Sequence, residues 1–324
     1  MTQPPALALS VCICTYNGAA RIGAVLEALG RQTRTAPDWE VVVVNNASRD
    51  QTAAVVAAAF AAHLPGRGRL VDEAQPGVTF ARRRAALEAR GHLLAYLDDD
   101  TLPAPDFVAC AVTVMQQHPE AGLAGGKIIP DWLEPPTPVG VAIADFALAI
   151  CDRGDQPFAY PDVTGGPVTA GMVARTEVLR TILSDPLFTA RISSRVGDAL
   201  DGGEDTAIVI RCHQLGHTCR YEPSLVIRHQ IPAARTALPY LLRFYQGIGH
   251  GQAMIRYFYD WKARVAPLAL LIALKEGLRW LAGEARGPSA ALREKFGAVA
   301  ADVHRLQQRQ VYGRFRQGLR EPFR

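Results

Sequence analysis

Three consecutive aspartates, Asp98, Asp99 and Asp100, directly follow the mainly apolar segment 92–97. Adjacent carboxylates repel one another and attract water, so such a cluster seldom serves the fold alone. Mg²⁺ and Mn²⁺ prefer oxygen ligands and are commonly held by one or two carboxylates together with phosphate oxygens of a substrate. The cluster therefore predicts a metal and phosphate site. The alternative is a solvated acidic turn that caps a helix near Asp106.

A second pair of carboxylates, Glu204 and Asp205, follows two glycines at the expected start of a helix. Asp is favoured at a helix N-terminus, where the helix dipole stabilises negative charge. A carboxylate fixed there can also act as a general base that removes a proton from an attacking hydroxyl group. His229 follows an expected strand, and its alternatives are a neutral-imidazole metal ligand or a structural side chain.

Alternating strands and helices are expected to position these side chains. Runs of apolar and small residues predict strands, and apolar residues at helical spacing predict helices. Asp50 is the expected N-cap of the second predicted helix. This alternation implies an α/β fold with a mostly parallel sheet and helices on both faces. The predicted strands are 7–15, 40–44, 68–72 and 92–97, and the predicted helices are 21–31, 53–62 and 79–90.

Polar residues follow three of the predicted strands. In an open α/β sheet, ligands bind beyond the carboxyl ends of the strands, so these residues are expected to line one site. They are Thr15-Tyr16-Asn17, Asn45-Asn46 and Asp98-Asp99-Asp100.

The remaining chain shows weaker patterns. Segment 131–167 is rich in Pro and Gly and predicts a long loop region over the sheet edge. Helices are predicted at 173–183 and 205–215, a strand at 219–227, and helical structure from Leu238 to the end.

The segments described above resemble the family 2 glycosyltransferases of the GT-A fold. Six similar stretches occur in the same order and at similar spacing over about residues 8–232, and together they form a strong signal although each is weak alone. They are 10–17, 42–50, 77–82, 91–100, 203–205 and 221–229. The resemblance implies a catalytic domain at 1–235, with a nucleotide-sugar half at about 1–105 and an acceptor half at about 106–235. A basic helical region would follow at 236–324.

The resemblance also implies roles for individual residues. Asp205 would be the general base of an inverting single displacement, and Gly171 and Glu204 would lie on the acceptor side. Asp100 and His229 would hold Mg²⁺ or Mn²⁺ with the diphosphate of the donor. The nucleotide sugar would contact Thr15, Tyr16, Asn17, Asn45, Asn46, Arg82, Asp98 and Asp99, with Asp98 at the ribose and Arg82 near the diphosphate.

Two residues depart from the family pattern. Asn45 stands where the family usually has Asp, and Cys14 replaces a common Pro. The amide oxygen of Asn still accepts a hydrogen bond from a uracil N–H, so a UDP-sugar is the first choice of donor. With Asn45 in place of the usual Asp, GDP- and dTDP-sugars are less strongly excluded as donors than in other members of the family.

Further stretches are similar to cyanobacterial family 2 enzymes of hormogonium-type exopolysaccharide synthesis. They are 144–146, 157–160, 229–232 and 247–249. This resemblance suggests an extracellular-polysaccharide pathway and a glycan or lipid-linked acceptor.

The charge of the chain is divided unevenly. The whole protein has a net charge of +4, whereas residues 262–324 carry 13 Lys and Arg against 5 Asp and Glu, a net charge of +8. This tail and the preceding Trp261 combine apolar residues such as Leu271 and Leu278 with basic residues such as Lys275 and Arg279. Such a segment can lie in a membrane interface and bind anionic lipid. The alternative is a helical appendage that packs on the catalytic domain or on a second copy in a homo-oligomer.

Nothing near the N-terminus resembles a signal peptide, and the longest apolar run near the C-terminus, 265–274, is too short to span a bilayer. Six cysteines without disulfide-scaffold spacing favour reduced thiols. We therefore expect a cytoplasmic protein. The alternative is a protein that associates peripherally with the inner face of the membrane. We expect no nucleic-acid partner.

Two other functions compete with glycosyl transfer. A nucleotidyltransferase shares the α/β sheet and the metal carboxylates, but the N-terminal region lacks a Gly-rich phosphate loop with a Lys. A catalytically silent sugar-nucleotide or glycan-binding protein is disfavoured by the presence of Asp98, Asp100, Asp205 and His229.

Overall fold

A computed structural model of the 324-residue chain describes residues 7–33, 38–186, 188, 192, 200–259 and 266–319. The chain forms two compact units. The first comprises residues 1–131, 150–189 and 205–230, and the second comprises 132–149, 190–204 and 231–324.

The first unit is built on a mixed sheet of nine strands within the described residues. Its order is β3-β2-β1-β4-β8-β6-β9-β5, with β7 beside β9. Strands β3, β2, β1 and β4 are parallel, and β8 pairs antiparallel with β4 and β6. The strands are β1 (Leu9–Thr15), β2 (Trp39–Asn45), β3 (Gly68–Asp72), β4 (Leu93–Asp98), β5 (Thr101–Pro103), β6 (Ala121–Trp132), β7 (Phe158–Ala159), β8 (Val173–Arg175) and β9 (Thr218–Ile231).

Helices surround this sheet in the first unit and make up most of the second. The α-helices in chain order are α1 (Ile22–Gly30), α2 (Thr52–His63), α3 (Val78–Glu88), α4 (Phe107–Gln117), α5 (Pro138–Ala142), α6 (Ala144–Ala147), α7 (Thr176–Leu183), α8 (Glu204–Gln214), α9 (Leu238–Tyr259), α10 (Ala266–Arg286), α11 (Ala290–Phe296) and α12 (Ala300–Gly318). Short 3₁₀ helices lie at Ala233–Thr236 and Gly297–Val299.

Successive side chains of β1 point to opposite faces of the sheet. Leu9, Val11 and Ile13 join a hydrophobic core with α1, α2 and α4. Between them, the Cys12 thiol points to the other face and lies 3.8 Å from the Ala85 carbonyl oxygen of α3. Successive side chains of a strand point to opposite faces, so the Val-rich β1 and β2 are buried on both. The predicted α/β architecture with helices on both faces of a mostly parallel sheet is confirmed.

The strand register places the polar residues at one edge. Thr15 is the partner of Asn45 in the β1–β2 pair, and Cys14 is the partner of Asp98 in the β1–β4 pair. The three polar segments that follow these strands therefore emerge together, because parallel strands end at the same edge of a sheet.

Glycines allow close helix packing in the second unit. A side-chain carbon added at Gly249 of α9 would lie 2.1 Å from the carbonyl oxygen of Gln310 in α12. One added at Gly313 of α12 would lie 2.3 Å from the carbonyl oxygen of Gln246. Real carbon atoms do not approach that closely, so α9 and α12 meet backbone to backbone. The expectation of helical structure from Leu238 onward is confirmed for the described residues.

Three local predictions were wrong. Residues 173–183 are not one helix, because Val173–Arg175 pair with β4 and β6 and only Thr176–Leu183 are helical. The predicted loop at 131–167 contains α5, α6 and β7. Helix α2 begins at Thr52 with Gln51 as its N-cap, and the Asp50 carboxylate instead accepts hydrogen bonds from Thr52 and from the Ala19 backbone.

Candidate active site

The three aspartates lie on a tight turn between β4 and β5. The Thr101 hydroxyl contacts both the backbone N–H and the carbonyl oxygen of Asp98, each at 3.0 Å. This turn sends the three carboxylates into different surroundings. The side chain of Asp98 is 38% exposed, whereas those of Asp99 and Asp100 are largely buried.

Asp99 points into the protein and is held there by Thr15 and Arg21. The Thr15 hydroxyl donates to Oδ2 at 2.6 Å, and the Arg21 guanidinium donates to both oxygens at 3.0 and 2.8 Å. Burial raises the pKa of the Asp99 carboxyl above its ordinary value, and the bonds from Arg21 oppose that rise. Gly18 must be small here, since an added side-chain carbon would lie 2.1 Å from the Thr15 hydroxyl oxygen.

Arg82 connects Asp98 with Asp205. Its Nη2 lies 3.4 Å from Oδ1 of Asp98, and its Nη1 lies 3.6 Å from Oδ1 of Asp205. The arginine is 5% exposed. Its guanidinium lies 5.9 Å from the centre of the Tyr96 ring, and the Tyr96 hydroxyl donates to the Arg82 carbonyl oxygen at 2.6 Å. A buried cation requires compensating charges, and these two aspartates supply them.

Asp205 lies in the first turn of α8, where the helix dipole favours a negative charge. The Thr169 hydroxyl donates to Oδ1 of Asp205 at 2.8 Å. About a third of the Asp205 side chain is exposed, so the carboxylate is both fixed and accessible. That combination suits a general base.

Asp100 and His229 face each other across two paired strands. Thr101 of β5 is the register partner of His229 of β9, and Oδ2 of Asp100 lies 3.6 Å from Nε2 of His229. The His229 side chain is almost fully buried. A carboxylate oxygen and an imidazole nitrogen are both ligands that Mn²⁺ accepts. Within the described part of the chain, no group of three or more His, Cys, Asp or Glu side chains could hold a metal ion.

Asn45, at the end of β2, and Asn46 organise the loop that follows this strand. Asn46 donates to the carbonyl oxygens of Glu73 and Gln75 and accepts from the Gly77 N–H at 2.8 Å, so both of its amide hydrogens bond within the protein. Asn45 donates to the Asp72 carboxylate at 2.9 Å and accepts from the Ser48 N–H at 3.3 Å.

The loop after β1 contacts the loop after β2. The Asn17 side chain accepts from the Arg49 N–H at 2.8 Å, and its backbone has a positive φ of 49°. Tyr16 is 45% exposed, which leaves its ring accessible to a ligand.

The two residues expected on the acceptor side are Gly171 and Glu204. Gly171 has a positive φ of 106°, and its N–H donates to the Tyr96 carbonyl oxygen at 2.9 Å. Glu204 is buried at the first position of α8.

Two residues of this site carry no signal in the sequence. Arg21 and Thr169 contact aspartates that lie 78 and 36 residues away along the chain. No local motif marks either residue, and only the fold brings them to their partners.

Comparison with known proteins places the chain in a family. Residues 10–180 match the family described as Glycosyl transferase family 2. Validoxylamine A glucosyltransferase of Streptomyces hygroscopicus subsp. jinggangensis is 36% identical over 121 residues, which are 37% of this chain and 27% of that protein. The match therefore spans about a quarter of the length of this curated relative.

Solved structures share the fold at low identity. The mannosyltransferase PcManGT from Pyrobaculum calidifontis, in complex with GDP-Man and Mn²⁺, has a TM-score of 0.57 at 19% identity and covers 96% of this chain and 86% of that chain. GalNAc-T7 with UDP, GalNAc and Mn²⁺ has a TM-score of 0.51 at 16% identity, over 78% of this chain and 51% of that chain. The family match extends over more than half of the residues, so this chain belongs to glycosyl transferase family 2.

Proposed function

We propose that the enzyme transfers a sugar from a nucleotide-sugar donor to a glycan or glycolipid acceptor with inversion of the anomeric carbon. The observation that carries the proposal is the position of Arg82 between Asp98, on the expected donor side, and Asp205, on the expected acceptor side. A cation in this position attracts the donor diphosphate and also fixes the carboxylate that faces the acceptor. The catalytic domain of the proposal is 1–235.

The donor would lie along the edge formed by the ends of β1, β2 and β4. Tyr16 and Asn45 would contact the base, Asp98 the ribose and Arg82 the diphosphate. Asn17 and Asn46 would shape the base pocket, and Thr15 and Asp99 would hold the turn against which the nucleotide rests. A UDP-sugar is the favoured donor. The complex of GalNAc-T7 holds UDP, whereas that of PcManGT holds GDP-Man.

Asp205 would remove the proton from the acceptor hydroxyl. In this single displacement the acceptor oxygen forms a bond to the anomeric carbon while the bond from that carbon to the diphosphate oxygen breaks. The electron pair leaves with the diphosphate, and the acceptor proton passes to the Asp205 carboxylate. Thr169 and Arg82 would aim this carboxylate, and Gly171 and Glu204 would line the acceptor side.

Asp100 and His229 fit a divalent cation, because one hard oxygen donor and one imidazole nitrogen face each other at 3.6 Å. Two protein ligands match the way Mg²⁺ and Mn²⁺ are held beside substrate phosphates. When bound, the ion would neutralise negative charge on the departing diphosphate. Mn²⁺ is present in the complexes of PcManGT and GalNAc-T7, which supports Mn²⁺ or Mg²⁺ here.

A thermal-shift screen of UDP, GDP, dTDP and CMP, each with and without Mn²⁺, tests the donor side. A ligand that binds only the folded protein raises its melting temperature. We expect a Mn²⁺-dependent rise with UDP, and a rise with GDP alone would change the assigned donor. Absence of a shift with all four nucleotides would contradict the proposal.

A further inference from the structure

Helix α10 (Ala266–Arg286) turns a stripe of leucines outward. Leu271, Leu274, Leu278 and Leu281 are 61%, 47%, 69% and 58% exposed. At 3.6 residues per turn, these four side chains fall within about 80° of the helix circumference and extend over about 15 Å of its length. Single exposed leucines are ordinary on a protein surface, but a continuous apolar stripe indicates a binding surface.

The buried face of α10 is tightly packed. Glu276 is 3% exposed and accepts hydrogen bonds from Arg314 at 2.9 Å and Arg279 at 3.0 Å. A side-chain carbon added at Gly277 would lie 2.9 Å from the ring of Phe315 in α12. Rotation of α10 to bury its leucines would expose Glu276 and break its hydrogen bonds. The leucines are therefore fixed on the outside by what the inner face binds.

Positive charge lies along one edge of this leucine stripe. At 3.6 residues per turn, Lys275, Arg279 and Arg286 lie within about 80° of the edge of the stripe, and all three are exposed. Glu284 is the exposed acidic residue of this helix among its described side chains, and it lies on the other side of the stripe. The region around it, 262–324, has a net charge of +8. The surface thus combines apolar bulk with cations and little negative charge.

We propose that the leucine stripe of α10 binds the surface of a bilayer that contains anionic lipid. The leucines would enter the acyl boundary, and the neighbouring Lys and Arg would meet the headgroups. A second copy of the chain fits less well. Four exposed leucines are few against the roughly 20–30 residues and about 800 Å² that each partner contributes to a stable protein interface. Two copies would also bring like charges together.

Within the described residues, no helix is long and apolar enough to cross a membrane, so the proposed contact is one helix lying in the interface. The proposal is independent of the identity of the donor or acceptor. It would nevertheless hold the enzyme at a surface where lipid-linked molecules are found.

Vesicle flotation of the full-length protein tests this surface. We expect binding to phosphatidylcholine vesicles that contain phosphatidylglycerol, and weaker binding when salt is added, because salt screens the charges. Leu274→Gln with Leu278→Gln should reduce the affinity at least about tenfold, since burial of two apolar side chains is lost. Both residues are exposed, so the variant should keep the melting temperature of the unmodified protein.

A matched control replaces two leucines of similar exposure elsewhere. Leu87→Gln with Leu133→Gln, at residues 46% and 53% exposed, should leave vesicle binding unchanged. Equal flotation of the stripe and control variants would overturn the proposal, as would equal binding to vesicles of phosphatidylcholine alone. A dimer in sedimentation velocity that the stripe variant converts to a monomer, without vesicle binding, would assign the surface to a second copy instead. Transfer to a soluble acceptor should be the same in both variants, which separates this test from that of the proposed function.

Discussion

The guanidinium of Arg82 lies 3.6 Å from the carboxylate of Asp205, although the two residues belong to different helices, α3 and α8. Arg82 is buried, and the same guanidinium also faces Asp98. One cation therefore holds together the two carboxylates to which the proposed mechanism gives different tasks. Its removal should affect donor and acceptor chemistry at once.

Arg82→Lys should lower kcat/KM for glycosyl transfer by about 10²-fold or more, because a single ammonium group cannot reproduce a planar guanidinium that faces two carboxylates. Steady-state kinetics with the donor identified by the nucleotide screen measures the change. Arg83→Lys on the same helix is the control, since Arg83 is exposed and should keep normal kinetics. Similar rates for the two variants would remove Arg82 from the active site.

The buried carboxylate of Glu40 in β2 stabilises the sheet through hydrogen bonds to neighbouring elements. Its carboxylate accepts hydrogen bonds from the Ser10 hydroxyl at 2.8 Å, the Arg90 N–H at 2.9 Å and the Arg69 guanidinium at 3.0 Å. Burial alone would raise the pKa of Glu40, but the bonds from Arg69 and Ser10 outweigh it and hold the pKa below its ordinary value of 4.5. A depressed folded-state pKa contributes stability above the unfolded-state pKa, and this contribution is lost as pH falls through the folded-state value.

Glu40→Gln should therefore lower the free energy of unfolding by about 2 kcal/mol at pH 7, and the difference from the unmodified protein should shrink below about pH 4. Urea unfolding across this pH range gives the comparison. Glu27→Gln serves as the control, because Glu27 is an exposed partner of Arg31 and such pairs contribute about 0.5 kcal/mol or less. A Glu40→Gln effect that stays constant with pH would contradict the assigned charge.

Gly251→Ala tests how the chain before Asp205 is held. In the second unit, a side-chain carbon added at Gly251 of α9 would lie 1.5 Å from the Gly202 carbonyl oxygen, and His250 Nδ1 lies 3.0 Å from Asp201 Oδ1. The added methyl should displace segment 200–203 and lower the free energy of unfolding by about 1–3 kcal/mol. Because this segment leads directly into α8, glycosyl transfer should fall more than nucleotide affinity.

A glycine with free space gives the opposite expectation. A carbon added at Gly23 of α1 would lie 3.8 Å from a Val55 methyl, an ordinary contact distance, so Gly23→Ala should stabilise the protein by up to about 1 kcal/mol. Thermal unfolding of the two variants gives the comparison. A Gly251→Ala protein as stable and active as the unmodified enzyme would contradict the close contact.

Sequence patterns predicted the parallel half of the sheet well, because β1, β2 and β4 are continuous buried runs that end in polar residues. They did not predict β6, whose Gly125 and Gly126 are unfavourable in strands. The structure explains Gly126, since an added carbon there would lie 2.1 Å from the Leu225 carbonyl oxygen. Close approach of another strand outweighs the low strand propensity of glycine. Likewise, the apolar pattern at Val173–Arg175 fits strand and helix equally, and only pairing with β4 and β6 decides it.

The candidate site was predictable to the extent that its residues follow strands. Asp98, Asp100, Asp205 and His229 could be singled out because carboxylates and a histidine stand at the ends of expected elements. Arg21 and Thr169 could not be predicted, because they reach Asp99 and Asp205 only through the fold. The different surroundings of Asp98 and Asp99 likewise depend on the turn closed by Thr101.

Asp205→Asn provides the most direct test of the proposed mechanism, because the amide keeps the shape of the side chain but cannot accept the acceptor proton. Glycosyl transfer by this variant should fall by about 10²- to 10⁴-fold, while the Mn²⁺-dependent stabilisation by the donor nucleotide stays as in the unmodified enzyme. Transfer at the unmodified rate would show that Asp205 is not the base and would contradict the account.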